Sequence, residues 1–220
     1  PIFDSIIKFI LTSIINININ SKYGIVNRGK LIIGEGAIIN ANNSGTIGIY
    51  NETNGDIVSS SGVINAIGNN STGLYNRSND PSISGIKVVT TPTDAKGIRN
   101  EAVADVTYTN INVTGAGEGF REYATGNTII SNSNISSTGN DSIYLTPQAF
   151  PLRFTINSSS LYGSVSLESS PRMVSINNSS LTTLYNSFGN VSINSSTLNY
   201  INNRGEAVIK YSDFRNMNDE

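Results

Sequence analysis

Apolar and polar positions along the chain repeat in a short phrase of a glycine, a large apolar residue, a variable residue and an asparagine. The apolar position of this phrase falls at Ile25, Ile49, Leu74, Ile98, Phe120, Ile143, Val165, Leu184 and Ile201. The clearest copy is Gly48-Ile49-Tyr50-Asn51, and successive copies lie 17–25 residues apart. A repeat of this length is typical of a solenoid, in which each coil covers its neighbour and none folds alone.

Two further apolar segments separate one copy of the phrase from the next. The second segment of a coil is clear at Leu31-Ile32-Ile33 and Val174-Ser175-Ile176, and the third is centred on residues such as Ile39 and Leu181. These segments are two to four residues long and lie between Asn, Gly and Ser turns, so they predict short strands rather than a sandwich core. The sequence therefore predicts an all-β parallel β-helix over residues 16–220, with about nine coils and three short strands per coil.

The first 15 residues have a different pattern. Their apolar side chains recur at near-helical spacing and form one broad face, with Asp4 as a candidate N-cap; they are Ile6, Ile7, Phe9, Ile10, Leu11, Ile14 and Ile15. An amphipathic cap over the first coil is the usual way to cover the exposed core of a solenoid. The alternative is a segment that docks onto a neighbouring subunit or a membrane surface.

Composition excludes several classes of function. The chain has 14 Lys and Arg against 16 Asp and Glu, with a net charge of −2, and acids and bases are interspersed. This balance gives no basic footprint for nucleic acid. Because the chain has no Cys and no His, it has no disulfides, no thiol nucleophile, no His-dependent triad and no zinc site of the usual kind. No apolar stretch is long enough to span a membrane as a helix.

The repeats resemble a known family of β-helices. Gly48-Ile49-Tyr50-Asn51 and Ser71-Thr72-Gly73-Leu74-Tyr75-Asn76 look like the Gly/Ser/Asn-rich repeats of bacterial autotransporter passengers and other surface β-helices. The resemblance is to the right-handed parallel β-helix of the pectate-lyase-like superfamily. It implies a right-handed coil and an extracellular, cell-surface or virion-surface location. The coils shorten to 17 residues near the end, which keeps a left-handed triangular helix open, although the hexapeptide period typical of that form is missing.

Residues one repeat apart lie about 4.8 Å apart in a parallel coil, so columns of the alignment become ladders in space. Asn27, Asn51, Asn76 and Asn100 should form a structural asparagine ladder at a corner, because Asn suits turns and its stacked amides can bond along the axis.

The variable position of the phrase should point outward, since side chains alternate along a strand. It predicts an external stripe about 20 Å long formed by Tyr50, Tyr75, Arg99, Arg121 and Tyr144. Tyrosine rings stack on sugars and Arg donates hydrogen bonds to hydroxyls or acidic groups, so this stripe is the candidate ligand-binding site. The alternative is an ordinary strand surface, since Tyr and Arg are common there.

Catalysis is the second hypothesis, because many β-helices cleave polysaccharides. The nearest set of convergent groups is Arg99, Glu101, Arg121 and Glu122, with Glu118 beside them. Glycosidases need two carboxyls that flank the scissile bond. Other acids, among them Asp56, Asp80, Asp94 and Asp141, lie beside Gly or Asn and predict turns instead.

The sequence thus predicts a non-enzymatic stalk, fibre or filament segment with a candidate glycan-binding face, and no cofactor or metal. The alternative function is a polysaccharide lyase or glycoside hydrolase of phage-tailspike type. The C-terminal residues Asn216-Met217-Asn218-Asp219-Glu220 have no apolar lid, which favours stacking on another subunit or continuation of the coil. Head-to-tail filaments or trimers are the expected assemblies.

Overall fold

The computed structural model describes residues 4–5, 9–11, 16–19, 21–52, 55–59, 62–78, 82–147, 153–168, 173–187, 189–210 and 212–219. Every regular element in these ranges is a strand. The strands, in chain order, are β1 (Asp4–Ser5), β2 (Phe9–Leu11), β3 (Asn16–Ile19), β4 (Tyr23–Asn27), β5 (Lys30–Ile33), β6 (Ile38–Ala41), β7 (Ile47–Asn51), β8 (Asp56–Ser59), β9 (Val63–Ala66), β10 (Thr72–Asn76), β11 (Ser82–Ser84), β12 (Lys87–Thr90), β13 (Lys96–Asn100), β14 (Val106–Thr109), β15 (Asn112–Gly115), β16 (Glu118–Glu122), β17 (Thr128–Ser131), β18 (Asn134–Leu145), β19 (Arg153–Asn157), β20 (Ser160–Leu167), β21 (Met173–Asn177), β22 (Ser180–Asn186), β23 (Asn190–Asn194), β24 (Thr197–Asn203), β25 (Glu206–Lys210) and β26 (Asp213–Asp219). None of the described segments is a helix that could cross a membrane.

The strands coil as a parallel β-solenoid. The second strand of each coil pairs with its counterpart one coil later, and these strands form a ten-stranded sheet from β2 to β25. The first and third strands form two further columns that join through β18 into a sixteen-stranded sheet. The predicted all-β parallel β-helix with three strands per coil is therefore confirmed.

About seven turns are present over the described residues, rather than the nine predicted. The coils differ along the chain. In the first part, the three sides of a coil are separate strands, whereas β18, β20, β22 and β24 each run from the third side of one coil onto the first side of the next. Shorter coils leave fewer residues for turns, so strands that were separate become continuous.

The predicted apolar column is continuous through the core. Ile49 pairs with Leu74, Leu74 with Ile98, and Ile98 with Phe120, and all four side chains are fully buried. Phe120 also contacts an aromatic residue from the second strand column, because its ring meets that of Tyr108 edge-on with centroids 5.0 Å apart. The solenoid is thus filled by ladders of large side chains, one from each coil.

The glycine of the repeated phrase is required by packing. A Cβ atom on Gly97 would lie 2.4 Å from Val113 Cγ1 in the third strand and 2.5 Å from the carbonyl oxygen of Gly119 in the next coil. Gly48 and Gly73 face equivalent obstacles. The first strand therefore approaches the third strand too closely for any side chain at this position.

The asparagine ladder forms as predicted. The amide nitrogens of Asn27, Asn51 and Asn76 each donate to the side-chain oxygen of the next member, at 2.7, 2.8 and 2.9 Å. All four members, which end with Asn100, are buried. Glu122 takes the fifth position, so the ladder ends on a carboxylate.

A serine ladder lines the corner between the second and third strands of the later coils. The buried hydroxyls of Ser159, Ser179 and Ser196 each accept from the backbone N–H one coil earlier, at 3.1–3.2 Å. Each hydroxyl also donates to the carbonyl oxygen two residues before it, at 2.7–2.8 Å. The residue before each serine has a positive φ of 48–51°, which tightens the turn. Buried Ser side chains therefore stabilise these corners by hydrogen bonds between successive coils.

The amphipathic spacing of residues 1–15 does not produce a helix where the structure describes this segment. Instead, β1 pairs in parallel with β4 and β2 pairs in parallel with β5. These residues form strands because the strands of the next coil, β4 and β5, offer backbone groups for pairing. The other residues of this segment lie outside the described ranges, and whether it caps the solenoid or docks elsewhere stays a prediction.

Candidate ligand-binding stripe

The five predicted stripe residues lie in successive coils and in exact sequence register. Tyr50 pairs with Tyr75, Tyr75 with Arg99, Arg99 with Arg121, and Arg121 with Tyr144. Each is half-buried rather than fully exposed. We call these five residues the Tyr/Arg stripe; at the strand spacing it extends over about 20 Å.

The aromatic end of the stripe is a stack of three rings. Tyr23, which precedes the first glycine of the phrase, stacks on Tyr50 with centroids 4.8 Å apart and planes inclined by 23°. Tyr50 contacts Tyr75 at 5.1 Å with a tilt of 60°. Because both neighbours cover part of Tyr50, the ring is held in place while its outer edge stays accessible.

The centre of the stripe is held by cation–π contacts. The guanidinium carbon of Arg99 lies 4.8 Å from the ring centroid of Tyr75 and 4.8 Å from that of Tyr123. Arg121 lies 5.1 Å from the ring centroid of Tyr144. Each guanidinium group of the stripe therefore packs on at least one tyrosine ring.

Carboxylates next to the stripe bind side chains at its centre and at one end. Glu101 forms an ion pair with Arg99, whose Nε lies 2.8 Å from Oε1, and accepts a hydrogen bond from the Tyr75 hydroxyl. Burial and this bond to Glu101 raise the pKa of Tyr75 well above its ordinary value. At the other end, the Tyr144 hydroxyl donates to Glu168 at 2.6 Å. These partners hold the side chains in one arrangement.

A further set of charged side chains lies on β13 and β16, which are neighbouring strands of the first column. Lys96 of β13 pairs with Glu118 of β16, and Glu118 forms an ion pair with Arg121. Burial, together with the positive charge of Arg121, lowers the pKa of Lys96. Arg121 therefore contacts an aromatic ring on one side and a carboxylate on the other.

The four residues of the catalytic hypothesis do not meet at one place. Glu101 lies on the outer surface, with its side chain 22% exposed, and contacts Arg99. Glu122 is fully buried and accepts hydrogen bonds from Asn100 Nδ2 at 3.1 and 3.2 Å and from the backbone N–H of Ala124 at 2.6 Å. Since β16 directs Arg121 outward and Glu122 inward, the two carboxylates do not face a common substrate.

Sequence reasoning missed two members of this surface, Tyr23 and Tyr123. Tyr23 lies two residues before the first apolar core position, and Tyr123 directly follows β16. An aromatic residue immediately outside the repeated phrase is the signal that could have identified both. Among the described residues, no group of three or more acidic side chains is arranged to hold a metal ion.

Comparison of the chain with protein-family models, curated proteins and solved structures gives no match. The parallel β-solenoid therefore rests on the structure itself.

Proposed function

We propose that the protein is a non-enzymatic surface β-helix, a stalk, fibre or filament segment, whose Tyr/Arg stripe contacts glycans. The observation that carries this proposal is the register of Tyr50, Tyr75, Arg99, Arg121 and Tyr144 along one outer face. An extended chain of sugars suits such a face, because a glycan can contact successive coils at once.

The chemistry of the stripe suits carbohydrate. Tyrosine rings offer flat apolar surface to a sugar ring, and Arg guanidinium groups donate to hydroxyl or carboxylate oxygens. Internal contacts already fix Arg99 and Tyr144. Because these side chains are already ordered, ligand binding costs less of their conformational entropy. Weak individual contacts can then add up along the stripe.

The asparagine and serine ladders support a structural role. Asn76 and Ser179 belong to hydrogen-bonded columns that run along the axis through buried corners. Such columns tie each coil to the next and favour a stiff rod. We infer an extracellular, cell-surface or virion-surface location for it, and self-association as a head-to-tail filament or a trimer.

The finer family assignment is also a proposal. We infer a right-handed coil of the pectate-lyase-like type, supported by the three strand columns and by the left-handed backbone of Asn132 and Asn178 at the corner between the second and third strands. An experimental structure at a resolution that shows the chain trace tests the handedness directly, and a left-handed coil would overturn this assignment.

Screening of the purified protein on a glycan array, followed by calorimetry of the strongest binder, tests the binding role. Tyr50→Thr removes a ring from the stripe and should weaken binding by at least about tenfold. Tyr185→Thr is the matched control, because Tyr185 lies in the same column two coils beyond Tyr144, outside the stripe, and its side chain is 41% exposed. Folded wild-type protein that binds no glycan would overturn the binding role.

Light scattering over a concentration series, with negative-stain electron microscopy, tests the assembly role. Filaments or trimers are the expected result. Monodisperse monomers over the full range would contradict self-association and leave the glycan-binding part unaffected.

The positions of the two carboxylates do not favour the enzymatic alternative. It requires Glu101 and Glu122 to act together, and Glu122 is buried on the ladder side of β16. The variants Glu101→Gln and Glu122→Gln test it, because loss of any polysaccharide-cleaving activity in both would restore the hypothesis.

A further inference from the structure

A groove lies beside the Tyr/Arg stripe, at the place where β18 runs from the third side of one coil onto the first side of the next. The pairing of β18 with β20 shifts register between Ser136 and Asp141 and again between Asp141 and Ile143. The extra residues bulge outward and, with the facing part of β20, border an open groove of about 490 Å³. We call this the β18 groove; it is lined by Ser137, Thr138, Gly139, Asn140, Asp141, Tyr162, Gly163, Ser164 and Thr182.

Hydrogen bonds hold the bulge in one conformation. The backbone N–H of Asn140 donates to the Ser137 hydroxyl at 2.9 Å, and the Asn140 amide donates to the carbonyl oxygen of Thr93 at 3.1 Å. Gly163 passes beneath the bulge with a φ of 108°, and a Cβ atom there would lie 2.7 Å from the Ser137 carbonyl oxygen. Bulges commonly redirect side chains at functional surfaces. The groove is therefore a built feature of the fold.

One wall of the groove is an exposed aromatic ring. Tyr162 is 58% exposed, more than any other aromatic side chain in the described part of the chain. Its hydroxyl has no hydrogen-bond partner among the described residues. This contrasts with Tyr75 and Tyr144, whose hydroxyls are bound by carboxylates. The ring of Tyr162 is thus available to stack on a ligand.

A carboxylate, that of Asp141, lines the same groove. The Ser166 hydroxyl donates to Asp141 Oδ1 at 2.8 Å, which orients the group, while the structure shows no partner for Oδ2 among the described residues. Burial raises the pKa of Asp141, and the charges of Glu118 and Glu168 raise it further. The hydrogen bond from Ser166 and the positive charge of Arg121 act in the opposite direction. A negatively charged ligand is disfavoured in the groove, because it would meet the Asp141 carboxylate that lines it.

We propose that the β18 groove binds one neutral pyranose unit, with the apolar face of the sugar on Tyr162 and its adjacent hydroxyls donating to Asp141. An aromatic ring contacts the apolar face of a sugar, and a polar acceptor in the same groove binds its hydroxyl groups. Tyr144 follows Asp141 in β18, so the groove adjoins one end of the Tyr/Arg stripe. This inference rests on the proposed glycan-binding function and adds the site that selects a neutral unit.

The test uses nuclear magnetic resonance titration of the whole chain with methyl glucopyranoside, methyl galactopyranoside and methyl mannopyranoside. At least one of these probes should shift the Tyr162 ring resonances, and glucuronic acid should not. The variants Tyr162→Thr and Asp141→Asn should each weaken the binding by at least about tenfold. Tyr185→Thr is the control for loss of an exposed tyrosine, and circular dichroism checks that every variant keeps its β-structure.

The possible results separate this inference from the function on which it rests. Glycan binding that depends on Tyr50 but is unchanged by Tyr162→Thr and Asp141→Asn would overturn the groove and leave the stripe standing. Preference for glucuronic acid, or for choline as a cationic probe, over all three neutral sugars would also overturn it. Absence of any glycan binding by the wild-type protein would overturn both.

Discussion

The amide nitrogen of Asn76 lies 2.9 Å from the side-chain oxygen of Asn100, one coil further along the axis, and both side chains are fully buried. Asn76 also accepts a hydrogen bond from Asn51, so each amide bonds to the coil before it and the coil after it. A polar group inside a protein costs free energy unless it is bonded, and here neighbouring repeats supply the partners. The repetition of the sequence is thus what makes a buried column of amides stable.

We expect Asn76→Ala to lower the free energy of unfolding by about 1–3 kcal/mol, because it removes one bond on each side of the ladder. The cost is limited because Asn51 keeps a bond to the Gly55 carbonyl and Asn100 keeps one from the Tyr108 hydroxyl. Chemical denaturation measures the change.

Asn199→Ala is the matched control, since Asn199 is exposed on β24 and should lose less than about 0.5 kcal/mol. An equal loss in both variants would show that the ladder contributes nothing specific.

A methyl group at the glycine of the repeated phrase should be more damaging. In Gly97→Ala the new Cβ atom would meet Val113 Cγ1 at 2.4 Å and the Gly119 carbonyl oxygen at 2.5 Å. Since the obstacle on one side is backbone, the coils must separate, and we expect a loss of about 3 kcal/mol or more, or failure to fold.

Gly45→Ala provides the comparison, measured by thermal unfolding beside Gly97→Ala. Gly45 has a φ of 69° and a Cβ atom there would have no neighbour within 4 Å. It should lose only the backbone cost of about 1–2 kcal/mol. A smaller loss at Gly97 than at Gly45 would contradict the packing explanation.

The serine ladder gives a prediction that separates two adjacent residues. Ser179→Ala removes the acceptor of the Ser159 N–H and the donor to the Asn177 carbonyl oxygen, so we expect a loss of about 1–3 kcal/mol. Ser180→Ala should have little effect, because Ser180 is exposed and makes no side-chain hydrogen bond in the described part of the chain. Denaturant titration of both variants compares them, and similar losses would refute the role of the ladder.

Much of the fold follows from the sequence because a parallel coil converts spacing into contact. The apolar column at Ile49 and Leu74, the Asn ladder and the outward position of Tyr50 all depend only on period and alternation. The repeat period and the alternation of side chains along a strand are set by the backbone and apply to any residue type. Register could therefore be predicted without knowing how any side chain packs.

Features that depend on local packing could not be predicted in this way. Phe9–Leu11 fits a helix face by spacing, yet it forms β2 because the next coil offers a strand to pair with. Glu122 stands in the asparagine column of the repeated phrase, but the sequence does not show that a buried amide and a backbone N–H would bind its carboxylate. Asp141 was predicted in a turn and lies instead within β18, beside a register shift that the period does not reveal.

The hydrogen bond from Tyr144 to Glu168 predicts how the end of the stripe responds to alkali. Burial, followed by this bond, raises the pKa of Tyr144 from its ordinary value of 10.0 to about 12. Because the folded pKa is the higher one, the neutral hydroxyl contributes stability that is fully present below pH 10.0 and is lost as the pH rises through about 12.

Glu168→Gln should bring the pKa of Tyr144 down toward 10.0, because it removes the negative charge and the strong acceptor while leaving burial in place. Protein labelled with 13C at tyrosine Cζ gives the titration curve, and Tyr144→Phe assigns the resonance. Glu206→Gln, which changes an exposed carboxylate on β25, should leave the curve where it is. A Tyr144 pKa that is the same in the wild type and in Glu168→Gln would show that the bond to Glu168 does not hold this ring, and the fixed geometry at this end of the stripe would then have to come from Arg121 alone.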